Sequence, residues 1–193
     1  MAPYRVPPTR ADIGIANAIA RYTSPETEQI SEVLTWGADE KVFCALALAW
    51  WLCNRRRGAR DRIAGNHLLL TAGAVTVLPH LLKKLFDQRR PDRLTVVGHL
   101  HGVPFSGKPL DAFPSGHAMH VGALASAATV LPPAQRNLVW SLGAGLCLTR
   151  IVLLAHWASD VAAGLAIGAL TERLLRLWTG YGNSPGREGR GSS

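Results

Sequence analysis

Apolar positions in this chain fall into runs rather than alternating singly, and short polar stretches dense in arginine separate the runs. Residues 11–22 read A-D-I-G-I-A-N-A-I-A-R-Y, with Ile13, Ala16, Ile19 and Ala20 on one helical face. That spacing predicts an amphipathic helix, too polar to span a bilayer. Ser24-Pro25 opens a second helix, with serine at the cap and proline at the first helical position. Residues 42–53, V-F-C-A-L-A-L-A-W-W-L-C, are short of the about 20 residues a span requires and reach that length only with residues 34–40. Further apolar runs cover residues 63–82, 118–131, 138–155 and 161–177, and Pro132-Pro133 ends the third span. The pattern predicts an all-α fold: a polytopic membrane helical bundle of about five transmembrane helices plus the N-terminal amphipathic helix. The expected divisions are 1–33 as an interfacial segment, 34–179 as the bundle core, and 180–193 as a Gly/Ser-rich disordered tail.

Charge sharpens this picture. The chain is 48% hydrophobic, 18% charged and carries a formal net charge of +8. The arginines flank apolar runs and no nucleic-acid motif is present, so nucleic acid is not an expected partner. Residues 54–62, N-R-R-R-G-A-R-D-R, mark the cytoplasmic side, together with the 132–137 turn and the tail. The 83–117 loop and the 156–160 turn then face the extracytoplasmic side, and the N-terminus lies outside. The first ten residues have no apolar h-region, so no cleavable signal peptide is expected and insertion relies on internal segments. Cys44, Cys53 and Cys147 sit inside apolar runs and read as small buried hydrophobes, without zinc or disulfide spacing.

Three polar patches fall on the same expected side. Lys83 is followed after six residues by Arg90-Pro91; Asp111 to His117 read D-A-F-P-S-G-H; Thr149-Arg150 is followed by His156 and then Asp160. Taken singly, each has an ordinary explanation: a cation at a span end anchors it at the interface, a histidine near a cap packs, and an aspartate at a helix start complements the dipole. Jointly their chemistry converges. His156 and Asp160 are four apart and share a helix face, so the carboxylate can accept from one imidazole nitrogen and leave the other as nucleophile. Lys83, Arg90 and Arg150 can neutralise the equatorial oxygens in phosphoryl transfer. Ser115 and Gly116 open a helix whose unpaired N–H groups attract anions, and His117 stands where a leaving alkoxide could be protonated. His99 and His101 form an H-x-H pair without an evident third metal ligand. His67 and His80 read as interfacial and His120 as a packing residue. Gly164 and Gly168 form G-x-x-x-G, which favours close helix packing within the bundle or between subunits of a homo-oligomer.

In order and spacing these patches resemble the type 2 phosphatidic acid phosphatase superfamily, whose pattern is K-x6-R-P, P-S-G-H and S-R-x5-H-x3-D; the single departure is Thr149 in place of serine, which keeps the hydroxyl. The resemblance covers Lys83 to Asp160. It implies that His156 attacks phosphorus to give a phosphohistidine, that Asp160 orients it, and that His117 is the general acid. It also implies that Lys83, Arg90, Ser115, Gly116 and Arg150 hold phosphate, with no metal or other cofactor. The expected function is an integral membrane phosphatase, in a bacterial inner membrane with its site extracytoplasmic, acting on a lipid phosphate or diphosphate in the bilayer. Polyprenyl diphosphate, a polyprenyl phosphosugar phosphate, phosphatidic acid and phosphatidylglycerol phosphate are the candidate substrates, and small bacterial members favour isoprenoid carriers. The competing readings are a vanadium-dependent haloperoxidase, a non-enzymatic lipid-binding or transport protein, and a soluble helical phosphatase.

Overall fold

The computed structural model describes residues 3–35, 39–91 and 110–183. His99, His101 and residues 184–193 of the expected tail lie outside them. Seven α-helices run in chain order: α1 Arg10–Tyr22, α2 Pro25–Thr35, α3 Glu40–Asn54, α4 Ala59–Leu82, α5 Gly116–Ala127, α6 Pro133–Val152 and α7 Ala158–Thr179. Two short strands, β1 Tyr4–Arg5 and β2 Phe86–Asp87, pair in parallel, with Tyr4 opposite Phe86 and Arg5 opposite Asp87. The first ten residues therefore contribute a strand that ties them to the segment after α4.

Helix α5 is the centre of the bundle. Eight of its residues, Ala118 to Ala123 with Ser126 and Ala127, are buried, while α4, α6 and α7 bracket it. Its small side chains let α7 approach backbone to backbone. A Cβ on Gly168 would come within 2.0 Å of the Met119 carbonyl oxygen, and one on Gly164 within 2.5 Å of the Ser115 carbonyl oxygen. From the other helix, a Cβ on Gly122 would meet the Leu165 carbonyl oxygen at 2.2 Å. The G-x-x-x-G pair is thus used inside the bundle. A turn of 3-10 helix, Ala128–Val130, extends α5 before Pro132-Pro133 stops it.

Among the described residues, no helix is long and apolar enough to cross a membrane. The sequence-based expectation of five spans meets two physical obstacles. Helix α5 has 12 residues, about 18 Å at 1.5 Å per residue against a hydrocarbon core of about 30 Å. The longer helices carry polar side chains, but several of these face inward. His67 of α4 lies 2.9 Å from Glu172 of α7, which also accepts from Ser126 and Arg176. His67 is 1% exposed, so it is a buried partner and not the interfacial residue its position suggested. Outward faces are apolar instead: Leu46 and Trp50 on α3, Leu70 and Val77 on α4, Leu142 and Leu148 on α6, and Leu170 and Leu174 on α7 are all exposed.

The up-and-down course brings the C-termini of α4 and α6 and the N-termini of α5 and α7 to one end of the bundle. Helices α1 and α2 cap that end: Ala16 packs on Ala112, Leu154 and Trp157, and Thr35 accepts from Arg150 Nη1 at 2.9 Å.

Candidate active site

Four helix ends, with residues 88–90 and 111–115, build one polar cluster. Lys83 caps α4 at its C-terminus. Arg90 follows β2, and its guanidinium is spread over two acceptors: Nη2 donates to Asp111 Oδ1 at 2.9 Å and Nη1 to the Ala155 carbonyl at 2.9 Å. Lys83 Nζ lies 3.7 Å from Asp111 Oδ2. Arg150, on the last turn of α6, is buried. Its side chain reaches Thr35, and its carbonyl accepts from the Ala155 and His156 amides at 3.1 and 3.3 Å.

Residues 153–157 make the turn from α6 to α7, and Leu154 adopts φ 50° there. A branched residue in the left-handed region stores about 1–3 kcal/mol of strain. Burial of Leu154 against Ala16, Ala112 and Trp157 holds it there. The turn delivers His156, 3% exposed, with Nδ1 donating to the Ala112 carbonyl at 2.7 Å. Asp160 Oδ2 is 3.7 Å from Nδ1, beyond hydrogen-bond range. The expected carboxylate–imidazole hydrogen bond is therefore replaced by one to a backbone carbonyl. The reason is local: Asp160 Oδ2 accepts from Trp157 N at 2.9 Å in the capping box of α7. The other oxygen, Oδ1, and both polar atoms of the Gln88 side chain are buried with no hydrogen-bond partner assigned among the described residues. Burial raises the Asp160 pKa, and Gln88 beside it acts in the opposite sense to a smaller extent.

Ser115 is the N-cap of α5, its hydroxyl accepting from Ala118 N at 3.4 Å. Its own N–H, expected to face an anion, donates to the Asp160 carbonyl at 3.2 Å. Gly116 then supplies the amide at the first helical position, where helix geometry offers no acceptor. His117 follows, half-buried.

Electrostatics couple these groups. Burial, followed by Arg90, Arg150, Lys83 and His117, holds the His156 pKa well below the usual histidine value. Burial, then Arg150, His120, Lys83 and Arg90, pushes His117 down to about 2. Both shifts favour the neutral imidazole. Burial lowers Lys83 too, against the pull of Asp111. Asp160 moves the other way, up to about 7, chiefly through burial. The arrangement offers an imidazole with one nitrogen fixed as donor, beside three cations. Among the described residues no group of three His, Cys, Asp or Glu could hold a metal ion.

Lys83, Arg90, Ser115, Gly116, His117, Arg150, His156 and Asp160 thus share one end of the bundle. Sequence spacing passed over three participants: Asp111, whose carboxylate joins Lys83 to Arg90; Ala112, whose carbonyl orients His156; and Gln88. Gln88 also pairs through its backbone, its N–H with Leu110 O at 2.9 Å and its carbonyl with Ala112 N at 3.1 Å. Asp111 opens the D-A-F-P-S-G-H stretch, so its position was a signal; backbone acceptors leave none. His80 is exposed and 3.3 Å from Glu40. His120 is buried against Phe43, with ring centroids 4.9 Å apart.

Known proteins resemble this chain in sequence or in fold. A lipid A 1-phosphatase of Rhizobium johnstonii is 39% identical over 106 residues, which cover 54% of this chain and 43% of that protein. One from Rhizobium etli is 38% identical over 105 residues, covering 54% of this chain and 45% of that protein. The match therefore spans less than half the length of either relative. The crystal structure of a transmembrane PAP2-type phosphatidylglycerolphosphate phosphatase from Bacillus subtilis superposes with a TM-score of 0.66 at 18% identity, over 93% of this chain and 88% of that one. At that identity the likeness concerns the fold. Residues 64–184, a stretch that takes in all three patches, match the PAP2 superfamily, and the chain belongs to that superfamily.

Proposed function

We propose that this protein is an integral membrane phosphatase that hydrolyses a lipid phosphate or diphosphate through a phosphohistidine at the extracytoplasmic face. The observation that carries the proposal is the His156 geometry: a neutral imidazole whose Nδ1–H is held by the Ala112 carbonyl at 2.7 Å, amid Lys83, Arg90 and Arg150. Nε2 then presents its lone pair to phosphorus. Its attack forms an N–P bond and breaks the P–O bond to the leaving group, the lipid alkoxide of a monophosphate or the lipid-bound phosphate of a diphosphate, while the three cations and the Gly116 amide stabilise the equatorial oxygens. The positive charge that develops on His156 is offset by Asp160 at 3.7 Å. His117 protonates the leaving oxygen. Burial first, then Arg150, His120, Lys83 and Arg90, holds its pKa low, and the negative charge of a bound phosphate acts against the cationic contributions. Water then cleaves the N–P bond.

The exposed apolar faces of α3, α4, α6 and α7 support a bilayer setting, since soluble monomers rarely display apolar surface over several helices. Inward-facing polar residues lower the mean hydropathy of the helices without meeting lipid. In this reading residues 34–179 form the embedded core. The substrate tail stays in the bilayer while its headgroup enters the polar end. Lipid A phosphates, after the names of the relatives, join polyprenyl diphosphates and phospholipid phosphates as the substrate class. Phosphate release from a panel of these lipids in detergent micelles tests the proposal: wild type should act on at least one, and His156→Ala on none. Activity retained in His156→Ala would overturn the mechanism.

A further inference from the structure

Asp12 is a carboxylate in the N-terminal helix, 2% exposed, that belongs to none of the sequence patches. Four donors surround it. Oδ1 accepts from Ser159 N at 2.9 Å, and Oδ2 from Ser159 Oγ at 2.8 Å, Thr9 N at 2.9 Å and Thr9 Oγ1 at 2.7 Å. The Thr9 bonds cap α1 itself. The Ser159 bonds cross to the first turn of α7, one residue before Asp160 and three after His156. One helix start is thus held by two carboxylates, Asp160 from within and Asp12 from α1. One turn further along α1, Ala16 packs against Ala112, Leu154 and Trp157. These are the residue whose carbonyl orients His156, the strained residue of the turn, and the N-cap of α7.

We propose that Asp12 is a positioning residue for the His156–Asp160 pair, so that the N-terminal helix is a working part of the active site and not only a surface segment. Asp12 touches no reacting atom. It sets where the first turn of α7 sits, and through it the direction of the His156 ring and the charge beside it. The charged and polar groups acting on Asp160 are Arg90 and Gln88 from the chain after β2, His156 from the preceding turn, and Asp12 from α1. Burial of Asp12 opposes its ionisation, but the hydrogen bonds from Ser159 and Thr9 outweigh it and the pKa is lowered. Asp12 therefore stays anionic and contributes to holding the Asp160 pKa up.

The proposal rests on the phosphatase reading above, and its test keeps the two apart. Full-length Asp12→Asn, Ser159→Ala, Thr9→Ala and His156→Ala are compared in detergent micelles on the best substrate of the lipid panel. Asp12→Asn is expected to lower kcat about tenfold with KM nearly unchanged, since small misplacements of a reacting group are costly. Its acidic pH limb should move to lower pH, because Asp160 loses a neighbouring anion. Ser159→Ala, which keeps the backbone bond, should show a smaller loss of kcat. Thr9→Ala removes a cap of α1 but spares the Asp12–Ser159 contact, and should keep the wild-type kcat and pH profile. Unchanged kcat and pH limb in Asp12→Asn, or a Thr9→Ala enzyme that reproduces Asp12→Asn, would overturn the proposal. If Asp12→Asn fails to fold, the decision passes to Ser159→Ala, where unchanged kcat overturns it. Active His156→Ala would instead overturn the phosphatase mechanism.

Discussion

Asp111 Oδ1 meets Arg90 at two points, 2.9 Å from Nη2 and 3.3 Å from Nε, while its other oxygen lies 3.7 Å from Lys83 Nζ. One carboxylate thereby orders two of the three cations before substrate arrives. Asp111→Ala would release the Arg90 fork from one of its acceptors and lose part of that preorganisation. Michaelis kinetics on a lipid phosphate should show KM raised about tenfold and kcat within about twofold, as expected when ground-state and transition-state binding weaken together. An unchanged KM would mean that Asp111 does not prepare the phosphate site.

Asp160 links activity to stability with opposite signs. Its folded pKa is raised to about 7, against about 3.9 for an unfolded aspartate. Below pH 4 both states hold the proton and there is no difference. Between these values the folded state keeps a proton that the unfolded state releases, so stability falls as pH rises, and above pH 7 the full cost is present. Asp160→Asn should therefore raise the thermal midpoint at pH 8 by about 3 °C, with the gain vanishing near pH 4. Phosphatase activity should be lost. Thermal unfolding of both proteins at the two pH values checks this.

In the proposed mechanism the same carboxyl is ionised to offset the charge on His156. The acidic limb of kcat/KM should accordingly lie near pH 7, where Asp160 titrates. A pH–rate profile flat from pH 5 to 8 would remove Asp160 from that role.

The α5–α7 contact leaves no room for a methyl group. Gly168→Ala would put Cβ 2.0 Å from the Met119 carbonyl oxygen, a backbone atom that cannot turn aside. Helix separation should cost about 1–3 kcal/mol or more. Gly145→Ala, in α6 with nothing within 4 Å of the added Cβ, should be neutral or stabilise by up to about 1 kcal/mol through helix propensity. Comparing the two by thermal unfolding separates packing from propensity.

Much of the site was legible because its cations and histidines are spaced by helix ends and tight turns. Lys83 and Arg90 bracket a six-residue excursion, and His156 and Asp160 flank the start of α7. The G-x-x-x-G pair was legible as a close contact, although not as one made to α5. Other features left no mark in composition. The His156 acceptor is a backbone carbonyl, which every residue possesses. Asp12 and Ser159 are 147 positions apart, so their pairing depends on how α1 folds back over the site. Apolar runs overstated the similarity of the helices, since the run at 118–131 is the enclosed centre of the bundle while the runs in α4, α6 and α7 have exposed faces. His67 looked interfacial because the glutamate that buries it is 105 residues away.

The central claim is that His156 takes the phosphoryl group. Its most direct test is to mix the purified enzyme with a turned-over lipid phosphate carrying labelled phosphorus, quench within one turnover in alkali, and map the label by mass spectrometry. Label on His156, lost on acid treatment and absent from His156→Ala, is the predicted result. Label on another residue, or undiminished turnover by His156→Ala, would contradict it.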